Sequence, residues 1–365
     1  MIMTLTEAFT KLGKIMPVYN KLAAVILKVE GGVLTVSGVA RGQSFRFTTE
    51  IKDKDITDFT ITVAPDVLSQ ALKLNVTDIK YSNGSLIVTG IFGTSASAPE
   101  IEIKCDAVIE ALATDVAKLD QKIYEYVEVL EDGTEICNAL DVLKPWQALA
   151  KCGRRIFITE DLAYSTSPST NAFYVKEKAC QNLPETTEPL QAESTFVAEV
   201  AAIQQAFGIE KFNIYTMNEG TVFIALSEDK KVYAVEGAPV RIERNTLDRI
   251  KRRYADVCEF DTLTLPQSAV RDILQTAADK EDVKVHTEQD SLVFSSGAFG
   301  KIKVDTSTFD CECEVAREHT ILALSALPTE AEMVFGYGDS EARNFISFTA
   351  SDVTIIVPVQ DITEI

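Results

Sequence analysis

Residues 262–305 read TLTLPQSAVRDILQTAADKEDVKVHTEQDSLVFSSGAFGKIKVD, and this grammar recurs along the chain. A short alternating strand leads into Pro266 at a helix start, where a missing N–H costs nothing. Val270, Ile273 and Leu274 then recur at three- and four-residue spacing, the apolar face of a short helix. Three strands follow, VKVHT, SLVFSS and GKIKVD, with EQD as a turn between the first two. Residues 58–104 repeat the pattern: a strand, Pro65 opening a helix with Val67, Leu68 and Leu72 on one side, then strands. Asn83-Gly84 is a two-residue hairpin signal, because both central positions of that turn need a positive φ. Looser copies lie at 4–52, 124–178, 194–238 and 311–359. In the copy at 124–178, YEYVEVL reads as the strand and EICNALDVLKPWQALAKCG as the helix, with Pro145 expected to break or kink it.

One such unit leaves part of its sheet uncovered, so two side by side are needed to close a core. The six copies therefore predict an α+β chain of three tandem domains, 1–105, 106–240 and 241–365. Each has two βαβββ half-repeats, with helices on one face of antiparallel sheets. The stretches 105–123 and 239–257 fall outside the repeat and read as connectors. QNLPETTEPLQAE, 181–193, reads as a surface loop.

Composition narrows the function. The chain has 365 residues, 46% of them hydrophobic, and no apolar run approaches the roughly 20 residues that span a bilayer. It lacks the apolar segment of a signal peptide at its start and is expected to be soluble and cytoplasmic. Seven cysteines are scattered through apolar patterns, as buried reduced thiols are. Cys311 and Cys313 form a CxC pair with no second pair or nearby histidine to complete a zinc set, and read as two thiols on a strand. His286 and His319 are the only histidines and complete no catalytic constellation. No metal, no cofactor and no enzymatic activity is expected; GAFG and GYG fit turns better than phosphate loops.

The formal charge is −20, with 35 Lys and Arg against 55 Asp and Glu. Such a field repels nucleic acid unless the cations are segregated. RIERNTLDRIKRR, residues 241–253, gathers six of them, with Leu247, Ile250, Tyr254 and Val257 spaced as an apolar helical stripe. Its cations either face a phosphate or pair with acids such as Glu243 and Asp248.

The length, the six-fold βαβββ repeat and the texture of VAPDVLSQALKL…VTDIKYSNGSLIVTGIFGTSASAPE resemble the DNA sliding clamp, in the bacterial replicative polymerase beta-subunit form. Val357, Pro358 and Val359 match the apolar-Pro-apolar ending of that family. The chain departs from it in running on through QDITEI and in its helix-like connectors, which suggest a diverged, phage-encoded relative. The resemblance implies a head-to-tail homodimeric ring that encircles duplex DNA without reading its sequence. Such a ring tethers the replicative DNA polymerase as a processivity factor and is placed on DNA by a clamp loader. It would act in the cytoplasm, at the nucleoid or in a phage host. It implies a cationic lining, for which the candidates are Lys11, Lys14, Lys21, Lys73, Lys151, Arg154, Arg155, Arg249, Lys251, Arg252, Arg253, Arg271 and Arg317. Lys144 is a further helix cation, and the helix VAEVAAIQQAFG carries none. It also implies a groove for partner peptides, with Phe173, Tyr174, Ile346, Val357, Pro358 and Val359 as candidates; each could equally be a core residue. The competing reading is a β-rich structural or scaffold repeat protein that encircles nothing.

Overall fold

The computed structural model describes residues 2–19, 21–40, 42–53, 56–93, 98–128, 130, 134–160, 162–167, 170–176, 180, 183, 189–217, 222–237, 252, 261–276, 282–289, 291–296, 300–305, 311–327, 332–340 and 343–359. Its longer helices are α1 (Leu5–Ile15), α2 (Pro65–Ala71), α3 (Glu110–Glu128), α4 (Ala139–Cys152), α5 (Ser194–Phe207), α6 (Gln267–Thr276) and α7 (Arg317–Ala326). Apart from a 3-10 turn at Met16–Val18, most of the remaining regular structure is strand, nearly all antiparallel, so the chain is α+β.

Local chemistry accounts for these elements. α1 starts at a capping box: the Glu7 N–H donates to Thr4 Oγ1 at 3.1 Å, and the Thr4 N–H donates to Glu7 Oε2 at 2.7 Å. Its apolar positions Leu5, Ala8, Phe9, Leu12 and Ile15 are all buried. Each of the larger ones is worth roughly 1.5–3 kcal/mol of transfer free energy. α2 opens at Pro65, which supplies a helical φ and no surplus N–H. Asn83 and Gly84 have φ of 51° and 77°, so the NG hairpin forms as its residues require.

The chain divides into two compact units, Met1–Leu140 with Ala198–Pro239, and Asp141–Val197 with Val240–Ile365. In the first, a sheet runs in the order 59–63, 24–30, 33–40, 43–51, 232–237, 222–227, 212–217, 134–138. Ile2–Met3 lies parallel to the end of strand 43–51. A three-stranded sheet follows the order 75–82, 85–91, 100–106. In the second unit, one sheet runs 190–193, 155–158, 162–166, 171–175, 353–358, 343–350, 332–340, 261–266. A four-stranded sheet follows the order 300–305, 291–296, 283–288, 312–315.

Each half-repeat is a three-stranded meander, and last strands join meanders. Strand 43–51 pairs with 232–237, and strand 171–175 pairs with 353–358, both antiparallel. This joining unites the first half-repeat with the fourth and the third with the sixth. Contact density follows these fused sheets, whereas the sequence repeat groups consecutive half-repeats.

Four segments differ from expectation. Leu190–Glu193, within the expected surface loop 181–193, is a strand with Leu190, Gln191 and Ala192 buried. GYG, 336–338, lies inside strand Glu332–Ser340 and is not a turn. The other two fall in the half-repeat at 124–178. YEYVEVL is not a strand: Tyr124–Glu128 is the last turn of α3, and the strand of that half-repeat is Thr134–Asn138. The alternation in YEYVEV is too short to fix a period. Val116, Leu119, Ile123 and Val127, at spacings of three and four, set the helix, since they pack on the sheet around Val39, Ile224 and Leu226. α4 continues through Pro145. The missing hydrogen bond is offset by burial of Val142, Leu143, Trp146 and Leu149 along the same helix.

α3 also covers charge. It lies over adjacent strands of the fused sheet, where Arg46 and Tyr233 stand opposite one another at the joint. Asp120 sits 3.8 Å from the Arg46 guanidinium, both side chains about four-fifths buried, and the Tyr124 ring stacks 4.0 Å from that guanidinium. Burial pushes the Asp120 carboxyl above the usual carboxylate range, against the pull of Arg46 and a hydrogen bond with Ser37.

Candidate nucleic-acid interface and partner groove

Seven of the thirteen cations singled out in the sequence fall into two groups. Lys14, Lys21 and Lys73 are exposed and form no ion pair among the described residues. Lys14 stands with Lys52 and the hydroxyls of Thr4, Thr6 and Thr10 in an open cleft of about 500 Å³ along α1. Lysines there can meet a phosphate backbone without reading bases.

The second group is committed to the protein itself. Lys11, on the half-buried side of α1, donates its Nζ to the carbonyl of Ala206, and its ammonium stands 5.2 Å from the centre of the Phe207 ring. It therefore satisfies one of the free carbonyls at the end of α5. Lys151, the last-turn cation of α4, does the same for α7, with Nζ donating to Ser325 O at 2.9 Å. Arg154 and Arg155 share one carboxylate: their Nε atoms lie 3.4 and 2.9 Å from the two oxygens of Glu193. Arg317 begins α7, half-buried; its backbone N–H, not its guanidinium, donates to Asp282 Oδ1 at 3.3 Å, so this bond assigns the cation to neither group. Arg271 lies on α6, with its side chain outside the described residues. Arg249, Lys251 and Arg253 also lie outside them; Arg252 is helical and exposed. The sequence held no signal that distinguished the lysines that close helix ends from exposed Lys14, because both kinds sit on helical surfaces; Lys21 and Lys73 lie in turns that follow helices.

The groove candidates meet in one sheet. Strand 353–358 lies between 171–175 and 343–350, with Tyr174 opposite Val353 and Ile346 opposite Val357. Phe173, Ile346 and Val357 are fully inaccessible and Tyr174 nearly so. Phe173 packs with Phe157, Tyr164 and Ile356. Only Pro358 and Val359 keep part of their surface. The first four are therefore the backing of this surface, and Pro358 and Val359 its reachable part.

Two of the thiols are not poised for chemistry. Burial pushes Cys105 up to about 11 and Cys152 up to about 12, away from the thiolate that nucleophilic attack needs. Cys311 and Cys313 are buried on one side of their strand with sulfurs 3.8 Å apart. Among the described residues, no group of three or more His, Cys, Asp or Glu side chains is placed to hold a metal, and no helix is long and apolar enough to cross a membrane.

No protein-family model and no curated protein sequence matches the chain. Solved structures do. The DNA polymerase III beta subunit of Thermotoga maritima superimposes with a TM-score of 0.64 at 12% identity, over 98% of this chain and 97% of that one. The Helicobacter pylori beta clamp bound to a DNA ligase peptide gives 0.62 at 11% identity over 98% of both chains. The DNA polymerase sliding clamp of Pseudomonas aeruginosa gives 0.63 at 11% identity over 98% of both. The fold is that of the bacterial sliding clamps from end to end, at identities that carry no residue roles.

Proposed function

We propose that the chain is a DNA sliding clamp, a non-enzymatic ring that encircles duplex DNA and tethers the replicative polymerase. The observation that carries this reading is full-length agreement with three sliding clamps, in a chain whose repeat predicts that architecture from sequence alone. In this reading the half-repeats group into three domains, 1–105, 106–240 and 241–365, and two copies give six domains in a ring.

The joining rule of the meanders supports closure. Six half-repeats make three pairs, and last strands join two of them. The last strands of the second and fifth, Glu100–Asp106 and Gly300–Asp305, pair only with their own meanders among the described residues. A head-to-tail dimer pairs each with its counterpart on a second copy. The strand EIEIKCD offers Glu100 and Glu102, the strand GKIKVD offers Lys303, which stands 3.2 Å from Glu288 in the single chain, and Ile101 is 41% exposed. Opposite charges across an antiparallel pair favour that match over self-pairing of either strand.

Exposed Lys14, Lys21 and Lys73 supply part of the cationic lining, with Arg252 a further candidate. Pro358 and Val359 form the accessible lip of a groove for polymerase, loader and other partner peptides, backed by Phe173, Tyr174, Ile346 and Val357. The Helicobacter pylori clamp that carries a ligase peptide supports this use of the fold. Such a protein works in the cytoplasm, beside replicating DNA. Mass in solution tests closure: it should lie near twice the 40.1 kDa chain and fall to that of one chain as salt rises. A single-chain mass at every concentration would remove the ring dimer, and very large assemblies would favour the scaffold reading.

A further inference from the structure

Cys311 and Cys313 stand on either side of Glu312, where strand Glu312–Val315 begins. Residues two apart on a strand point to one face, so both thiols leave the backbone on the side opposite Glu312. Glu312 is exposed, whereas Cys311 and Cys313 are 2% and 0% exposed. Their sulfurs stand 3.8 Å apart. Val285 lies opposite Cys313 across the strand pair, and Val315 continues the same buried row. The two thiols therefore face each other on the apolar side of one strand.

That strand is an edge of its four-stranded sheet. It has four residues and, among the described residues, pairs with Val283–Glu288 alone. Two hydrogen bonds tie Cys311 to this neighbour: Thr287 N–H donates to Cys311 O at 2.8 Å, and Cys311 N–H donates to Thr287 Oγ1 at 2.9 Å. A short edge strand opens locally at less cost than a central one, so a small solute can reach the thiols while the rest of the sheet stays folded.

We propose that Cys311 and Cys313 are a reversible oxidation site, at which hydrogen peroxide joins the two sulfurs in a disulfide. One thiolate, formed while the strand is open, attacks the peroxide and breaks its O–O bond. A sulfenic acid forms, and the departing hydroxide takes up the thiol's proton as water. The second thiol attacks the sulfenic sulfur, the S–S bond forms, and its proton leaves with the displaced hydroxyl as a second water. To bond, the sulfurs close from 3.8 Å to about 2.05 Å. Alternate Cα atoms on a strand lie about 6.4–6.8 Å apart, the upper end of what a disulfide tolerates. The bond therefore forms under strain, which raises its reduction potential and keeps it reversible. Burial favours this neutral product over the charged sulfinic acid of further oxidation. Closure draws Cys311 towards Cys313 and away from Thr287. The site goes beyond the clamp reading and does not depend on it.

The full chain is treated with hydrogen peroxide, unfolded in iodoacetamide, digested with trypsin and read by mass spectrometry. Both thiols fall in one peptide, VDTSTFDCECEVAR, residues 304–317. It should lose two hydrogen atoms, carry no alkyl group, and regain both alkylation sites after dithiothreitol. In the same sample Cys105, equally buried, should stay reduced and be alkylated. In the oxidised chain the Thr287 amide should exchange about threefold to tenfold faster, the worth of one weakened backbone hydrogen bond. No disulfide in this peptide, a Thr287 amide unchanged once it has formed, or equal oxidation of Cys105 would each overturn the proposal.

Discussion

Asp120→Asn should loosen α3 while the sheet beneath it stays intact. At 3.8 Å and an effective dielectric constant of about 20, the Arg46–Asp120 attraction is about 4 kcal/mol before desolvation. Desolvation exceeds it at Asp120, whose carboxyl is held above its ordinary range. The pair therefore adds little net stability, yet removing one partner leaves the other charged and largely buried. For fully buried pairs that costs about 3–5 kcal/mol; with a fifth of each side chain exposed, about 2 kcal/mol is expected. That corresponds to roughly thirtyfold faster exchange of the α3 amides. Replacing both, Arg46→Met with Asp120→Leu, should restore protection to within about 1 kcal/mol of the native chain. The expected coupling is about 2 kcal/mol. Exchange of α3 amides, read by mass spectrometry, is the appropriate assay, since a two-unit chain need not unfold in one step. The pH dependence has a definite sign. A carboxyl with its pKa raised on folding binds its proton more tightly in the native state, so this contribution to stability falls as pH rises just above 3.8. Asp120→Asn should remove that slope. Unchanged α3 protection in Asp120→Asn, or a double variant worse than either single one, would refute the reasoning.

Other substitutions separate DNA contacts from structural cations. Replacing Lys14, Lys21 and Lys73 with Ala should lower the log–log salt slope of DNA binding by up to about 0.9 per lysine, with stability changed by no more than about 0.5 kcal/mol each. Lys11→Met and Lys151→Met should do the reverse, lowering the melting temperature by about 0.3–1 kcal/mol worth of helix-end stabilisation and leaving the salt slope alone. Gly38→Ala should destabilise by about 1–3 kcal/mol in thermal unfolding, because its Cβ would stand 2.1 Å from Cε1 of the buried Phe45 ring.

The repeat was legible because each half-repeat writes its strands with period two, its helix with period 3.6 and its turns with Pro, Asn and Gly. The described residues of the run 262–305 place the strands and the helix where its pattern reads them. α3 was only partly legible: Tyr124–Glu128 belongs both to an alternating pattern and to a helical stripe, and only the sheet below selects the helix. Strand exchange between meanders left no mark in single sequences, since FTITV reads the same whichever sheet receives it. The cations were legible as cations alone. Whether Lys11 faces solvent or the last carbonyls of α5 depends on residues almost 200 positions away, and Arg155 is neutralised by Glu193, 38 positions on.

Encirclement is the central claim, and topology tests it most directly. The chain, its loader and ATP are incubated with nicked circular duplex DNA, the complex is isolated by gel filtration, and half of it is linearised with a restriction enzyme. A ring held by topology should stay on the circle and run off the linear form within the time of the column. Equal retention on circular and linear DNA would contradict the account, because only a direct grip on the duplex could hold the chain to both.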